Sequence, residues 1–233
     1  MQKLPLEPIS AITFDLYGTL LDLVASFASG FEGFLKSKNY SGNAEEVVQA
    51  WEIAYLHESN VDSLLGRPRT PFEVVRRITL SQLLFKLQIS HTKDDIGELV
   101  TTKATPTLFP DVKEHLTRLQ GKFQMAVLSN GDLESLNRVI NGLDIPVDRA
   151  ISAEQAGFYK PHAGVYQHSV KELGLPGTEV LHVAAHAWDI RGARAAGMAG
   201  AYVNRYGIPY VDIDGSQPEL EVSNLAELSD RLT

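Results

Sequence analysis

The segment Ala11-Ile12-Thr13-Phe14-Asp15-Leu16-Tyr17-Gly18-Thr19-Leu20-Leu21 constrains the fold of this chain more than any other. An apolar run ends abruptly in a carboxylate, and a glycine turn comes next. A buried parallel strand delivers an acid in this way to the carboxyl edge of a sheet, where open α/β folds build their active sites. Asp15 therefore reads as a presented nucleophile. Two residues on, position 17 holds Tyr rather than a second acid, and that choice bears on which reaction the chain can run.

Further strand-like runs of four to six residues recur at Gln124–Ser129, Arg149–Ser152, Val180–Val183 and Gly200–Val203, after the first at Ala11–Asp15. Helix-like stretches lie between them at Asp111–Leu119, Leu133–Leu143, Ala163–Leu173 and Ile190–Ala196. Continuous apolar strands alternating with helices imply an α/β fold, a Rossmann-like parallel sheet covered on both faces. Right-handed crossovers then bring every strand's carboxyl end to one edge. From about Val24 to Ala104 the alternation stops and helical spacing takes over, as in Phe27, Phe31, Phe34 and Leu35, then Val48, Trp51, Ala54 and Tyr55. Gly66-Arg67-Pro68-Arg69-Thr70-Pro71 punctuates this stretch as a loop. The expected division is a core of residues 1–22 and 105–233 with a helical cap inserted at 23–104.

The ends of the core strands carry the reactive side chains. Ser129 and Asn130 end the second strand. Lys160 opens a helix in Phe158-Tyr159-Lys160-Pro161, with Pro161 suited to the first helical position, and Asp189 comes after the fourth strand. A carboxylate, a hydroxyl, an amide, an ammonium and a second carboxylate would converge on one site. The net charge of −8 argues against a nucleic-acid partner, and an anionic substrate would need a local positive patch. No apolar stretch is long enough to cross a membrane, and the absence of cysteine excludes a catalytic thiol or a disulfide framework. A cytoplasmic location is the expectation.

These motifs resemble the haloacid dehalogenase superfamily, and within it the L-2-haloacid dehalogenases. Phe14-Asp15-Leu16-Tyr17-Gly18-Thr19-Leu20 is similar to their first motif, Ser129-Asn130-Gly131 to the second, and Lys160-Pro161 with Tyr166 to the third. Ala187-Trp188-Asp189 through Gly192-Ala193 is similar to the fourth motif, and Gly197 with Val203-Asn204-Arg205 to the stretch just after it. Leu220-Glu221-Val222-Ser223-Asn224-Leu225 resembles the family's C-terminal segment. The resemblance implies a Rossmann-like core with a mobile cap. It also implies that the phosphatase members' second acid and Mg²⁺-binding acid are replaced here by Tyr17 and by Ala184 or Ala185. A metal-independent, cofactor-free hydrolysis of a small anionic halo acid, releasing halide, is then expected, in a homodimer.

On this resemblance Asp15 attacks the halogen-bearing carbon and forms an ester that water cleaves. Ser129 and Lys160 hold the substrate carboxylate, Tyr17 and Thr19 shape the site, and Asn130 receives halide. Asp189 balances Lys160 and orients the water, with Tyr166 and Trp188 lining the site. Two departures stand out. The family carries Arg immediately after a cap Trp, whereas Trp51 is followed by Glu52, leaving Arg67, Arg69, Arg76 or Arg77 as replacements. The family also tends to have Ser and Asn before Ala-Trp-Asp, where this chain has Ala184-Ala185-His186, which makes His186 a candidate for activating water. A hydrolase or phosphatase of another small substrate, or a catalytically idle binding protein, are the alternative readings.

Overall fold

A computed structural model describes residues 9–101 and 105–233. The chain divides into two compact units, Asp22–Thr107 and the remainder on either side of it. The first strand, β1 (Ala11–Phe14), belongs to the flanking unit. The inserted unit holds α1 (Leu23–Ser37), α2 (Ala44–Leu64), α3 (Phe72–Lys86) and α4 (Lys93–Val100). The chain then returns through α5 (Val112–Leu119), β2 (Gln124–Ser129), α6 (Leu133–Leu143), β3 (Arg149–Ser152), the short α7 (Ala153–Ala156) and α8 (Ala163–Leu173). It finishes with β4 (Val180–Ala184), α9 (Ala187–Ala195), β5 (Ala199–Val203), β6 (Leu220–Val222) and α10 (Leu225–Leu232).

All six strands are parallel, in the order β3-β2-β1-β4-β5-β6. The chain builds outward from β1 on one side through β2 and β3, then crosses to the other side for β4. The crevice at the carboxyl ends of β1 and β4 is thus the point where the winding reverses, the usual place for a ligand in such sheets. Phe14 is in register with both Val127 and Val183, so Asp15 emerges there at the centre of the sheet.

Side-chain alternation decides which face each strand residue serves. Ile12, Phe14, Leu181 and Val183 pack with Val112 and Leu116 of α5, Leu136 of α6 and Leu225 and Leu228 of α10. Ala11, Ala126, Leu128 and Val180 pack on the opposite face with Val165 and Tyr166 of α8 and Ala193 of α9. Thr13 and His182 share the period of Ala11 and Val180, and so belong to the face covered by α8 and α9.

The inserted unit has its own core of edge-to-face rings. Trp51 lies 5.4 Å from Phe27 and 5.5 Å from Tyr55, and Tyr55 lies 5.5 Å from Phe72. The Trp51 indole N–H donates to the Arg76 carbonyl (3.0 Å), tying α2 to α3. The loop from Gly66 to Pro71 is anchored by buried Asp62, which accepts from Thr70 N–H (2.9 Å), Thr70 Oγ1 (2.7 Å) and Arg67 (3.0 Å).

Several boundaries differ from expectation. Pro161 is not the first residue of α8: the helix begins at Ala163 with His162 as its cap, the imidazole accepting from Gly164 N–H (3.1 Å). α9 starts at Ala187 rather than Ile190, which puts Asp189 in its first turn. The sheet also gains β6, an edge strand of three residues that shows too little alternation to be recognised as a strand. α10 comes directly after it, capped by Asn224, which accepts from Glu227 N–H (2.9 Å).

Candidate active site

Asp15 is the first residue beyond β1, its N–H still donating to Val183 O (2.9 Å). The chain then folds into a tight turn in which Leu20 and Leu21 donate back to the Leu16 carbonyl (2.9 and 2.8 Å). Gly18 sits at φ +85°, and a Cβ there would lie 2.5 Å from Cε1 of His186. Glycine thus serves both the left-handed turn and the close approach of the imidazole. Arg205 braces this turn from outside: its Nε donates to Thr19 O (3.1 Å), and its Nη1 bridges both oxygens of Asp111 (2.8 and 2.9 Å). Thr19 Oγ1 donates to Asp15 Oδ2 (2.8 Å) and accepts from Ala185 N–H (2.9 Å), so one hydroxyl fixes the Asp15 carboxylate to the end of β4.

At the centre lies the Lys160 ammonium, only 1% exposed. It donates to Asp15 Oδ1 (2.7 Å), Asp189 Oδ2 (2.6 Å) and Leu128 O (3.0 Å). An ammonium has three N–H bonds, and all three are taken. Burial alone would favour loss of its proton, but the two carboxylates outweigh that and raise its pKa. Asp189 is fully buried. Burial opposes its charge, yet Lys160 and then His182 hold it well below the usual carboxylate range. Its Oδ1 accepts from Tyr166 Oη (2.6 Å). Burial, reinforced by Asp189, pushes the Tyr166 phenol up, so it stays a donor. Gly192 allows this approach, since a Cβ there would lie 2.6 Å from Tyr166 Oη and 2.8 Å from Pro161 Cβ.

The expected site residues Asp15, Thr19, Lys160, Tyr166 and Asp189 are already engaged with one another. Lys160 has no donor to spare for a substrate carboxylate unless it releases a present partner. Asp189, with both oxygens engaged and no exposed surface, is not set to orient water. Thr19 and Tyr166 direct their hydroxyl protons to Asp15 and Asp189. Ser129 and Asn130 do stand beside the cluster. Asn130 Oδ1 accepts from Lys160 N–H (2.8 Å), which turns its NH₂ away from that backbone, and Ser129 Oγ accepts from Gly131 N–H (3.2 Å). Trp188 is half-buried with Lys160 Nζ 5.9 Å from its ring centre. Tyr17 is half-buried against the core beneath the sheet.

His186 caps the start of α9 between the rings of Trp188 (5.6 Å) and Tyr206 (6.0 Å), its Nδ1 3.9 Å from Asp15 Oδ2. Burial lowers its pKa, against the pull of Asp15 and Asp189, so the ring is neutral at neutral pH. Two further polar residues, Thr13 and His182, lie hidden within apolar strand runs, and both are fully buried beneath Asp189. Their signal is a polar residue at matching positions of adjacent strands.

The residues do not fit the Mg²⁺ site of the phosphatase members. Alanines occupy the end of β4, and the Lys160 ammonium occupies the face of Asp15 Oδ1. Among the described residues no group of three or more His, Asp or Glu is placed to hold a metal.

Removing one member of a buried ion pair costs about 3–5 kcal/mol. Asp189→Asn should therefore destabilise the fold by about that amount in urea unfolding at pH 7. Because folding lowers the Asp189 pKa, its contribution is present above the unfolded carboxyl's value of about 4 and fades as pH falls below it. The difference between wild type and variant should shrink accordingly in acid.

A family model for haloacid dehalogenase-like hydrolases matches residues 9–197. The chain is 31% identical to the (S)-2-haloacid dehalogenase H-109 of Pseudomonas putida over 97% of its length and 99% of that protein. It is 28% identical to the haloacetate dehalogenase H-2 of Moraxella sp. (strain B), over 93% of this chain and 95% of the other. The structure of the L-2-haloacid dehalogenase from Xanthobacter autotrophicus with chloropropionic acid covalently bound superposes with a TM-score of 0.82 at 25% identity, covering 96% of this chain and 98% of that one. Asp15, Lys160 and Asp189 at the switch point of a parallel sheet, together with this match over most of the chain, establish that the protein belongs to the haloacid dehalogenase-like hydrolase family.

Proposed function

We propose that the protein hydrolyses short 2-halo carboxylic acids, haloacetates or L-2-halo acids, to the 2-hydroxy acid and halide without a metal. The observation that carries this reading is Asp15 itself, a carboxylate gripped by Lys160 and Thr19 with tyrosine where a phosphatase acid would stand. A carboxylate needs no base to act as a nucleophile. The neighbouring dehalogenases share the fold across nearly the whole chain, and one of them carries its chloropropionic acid covalently.

In the first step an Asp15 oxygen bonds to the halogen-bearing carbon and the carbon–halogen bond breaks, halide leaving with the electron pair. Ser129 Oγ, the Asn130 NH₂ and main-chain N–H groups after Asp15 are the donors for the substrate carboxylate and the departing halide. In the second step water attacks the Asp15 carbonyl carbon and passes a proton to His186. The acyl–oxygen bond breaks, the alkoxide takes the proton back from His186, and the proton left on Asp15 goes to solvent. His186 takes this role because Asp189 is fully engaged, whereas the imidazole is neutral and 3.9 Å from Asp15.

Within the inserted unit, Arg76 packs over that unit's own aromatic cluster. Its guanidinium lies 4.8 Å from the Trp51 ring centre and 5.1 Å from that of Phe27. The same unit exposes Val74, Ile78 and Phe85 along α3, Phe85 at 80%, which supports a homodimer. The lack of cysteine suits a cytoplasmic enzyme.

Purified protein in EDTA should release halide from one enantiomer of 2-chloropropionate or from chloroacetate. Asp15→Asn should remain folded and release none. No halide from any of these substrates, with Mg²⁺-dependent phosphate release instead, would sink the proposal. The kcat profile should lose activity as pH falls through an acid limb below 6.5, where His186 takes up a proton and ceases to be a base. In His186→Gln that limb should disappear along with most of the turnover; an unchanged limb would exclude His186 as the base. Sedimentation velocity should give twice the monomer mass, reduced to the monomer in Phe85→Glu.

A further inference from the structure

We infer that His182 is a positioning residue of this site: from inside the sheet it sets the Asp189 carboxylate and, through it, the Lys160 ammonium against Asp15. β4 reads Val180-Leu181-His182-Val183-Ala184, and the imidazole is fully buried in this otherwise apolar strand. Burying a polar ring is costly unless its nitrogens are matched. Nδ1 lies 2.9 Å from Oγ1 of Thr13, its register partner on β1 and the one polar residue of that strand. A hydroxyl can donate or accept, so Thr13 serves Nδ1 whether or not that nitrogen carries a proton.

The other nitrogen meets the site. Nε2 lies 3.1 Å from Asp189 Oδ1, and since a carboxylate only accepts, Nε2 carries the proton there. The approach is close but off the N–H axis, and the aligned bond to the same oxygen comes from Tyr166. The Tyr166 ring in turn stands edge-on to His182, 5.7 Å between centres at 75°. His182 thus supports both Asp189 and the phenol that holds it. The cluster above contains two carboxylates and one ammonium, an excess of negative charge that the Nε2–H dipole opposes. If Asp189 turned away from this support, Lys160 would move with its Oδ2 and loosen from Asp15.

This inference rests on the dehalogenase reading only for its kinetic readout. His182→Phe preserves ring packing but removes the N–H, whereas His182→Gln returns an amide N–H near the position of Nε2. With the halo acid that the wild type turns over, Phe should lower kcat by about tenfold or more while KM stays within about threefold, and Gln should recover most of the loss. Separately, in protein labelled with ¹⁵N-lysine, the buried Lys160 ammonium resonance should shift or broaden in the Phe variant and return in the Gln variant. If the wild type releases no halide, the functional reading fails and this spectrum alone decides the role of His182. Unchanged kcat and an unchanged ammonium resonance in His182→Phe would overturn the inference. So would equal losses in Phe and Gln that track a fall in Tm, the mark of packing alone. Should His182→Phe not fold, the near-isosteric Thr13→Val replaces it, with a smaller shift of the ammonium resonance expected and no shift counting against the inference.

Discussion

An ammonium buried among apolar strands is costly, and Lys160 can occupy its place only because two carboxylates and a carbonyl meet all three of its N–H bonds. The requirement reaches through the fold. Asp15 must come from the end of β1, Asp189 from the first turn of α9, Leu128 O from β2, and Lys160 itself from the segment before α8. Four chain segments far apart in sequence are therefore tied to one nitrogen. Conversely, without Lys160 the two carboxylates would keep their neutral donors but lose the one cation that balances them, so the site holds together as a unit.

The sheet supplies the geometry. With β1 at the centre and β4 entered only after the chain has built the other side, Asp15 and His186 flank the reversal of winding. Strand alternation then sorts neighbours by function. Ile12, Phe14, Leu181 and Val183 pack the core below, while Thr13 and His182, one residue out of phase, face α8 and α9, where Tyr166 and Asp189 stand. The same two strands thus serve as core on one face and as support for the site on the other. Gly192 completes this arrangement from the helix side, because any larger residue would push α9 off Tyr166.

Much of this is legible in the sequence because it lies where local patterns change. Asp15, Ser129, Asn130, Lys160 and Asp189 each sit near the end of an apolar run or the start of a helix, and five of the six strands show as such runs. What each polar group addresses is less legible. Whether Thr19 faces a ligand or Asp15, and whether Tyr166 faces a ligand or Asp189, depends on how β4 and α9 approach, which no spacing encodes. Lys160 looks available for substrate because a sequence cannot reveal that its valences are already filled. His182 escapes notice for the opposite reason: an imidazole inside a strand looks like a tolerated interruption until the register brings Thr13 beside it. β6 goes unseen because three edge residues carry too little periodicity.

The division of Lys160 between two carboxylates also bears on why carbon suits this site better than phosphorus. In the proposed reaction Asp15 becomes an ester and its charge disappears, and a lysine paired with it alone would be left buried and unmatched. Asp189 prevents this, since it keeps its own bond to Lys160, supported by Tyr166 and His182, whatever the state of Asp15. The cluster passes from an excess of one negative charge to balance as the ester forms, and returns as water releases it. A phosphoryl group would instead add negative charge at the same place, with no metal-binding acid at Ala184 or Ala185 to gather a compensating cation. The arrangement of fixed charges thus favours a nucleophile that is consumed and restored as a neutral ester, which is what displacement of halide from carbon requires.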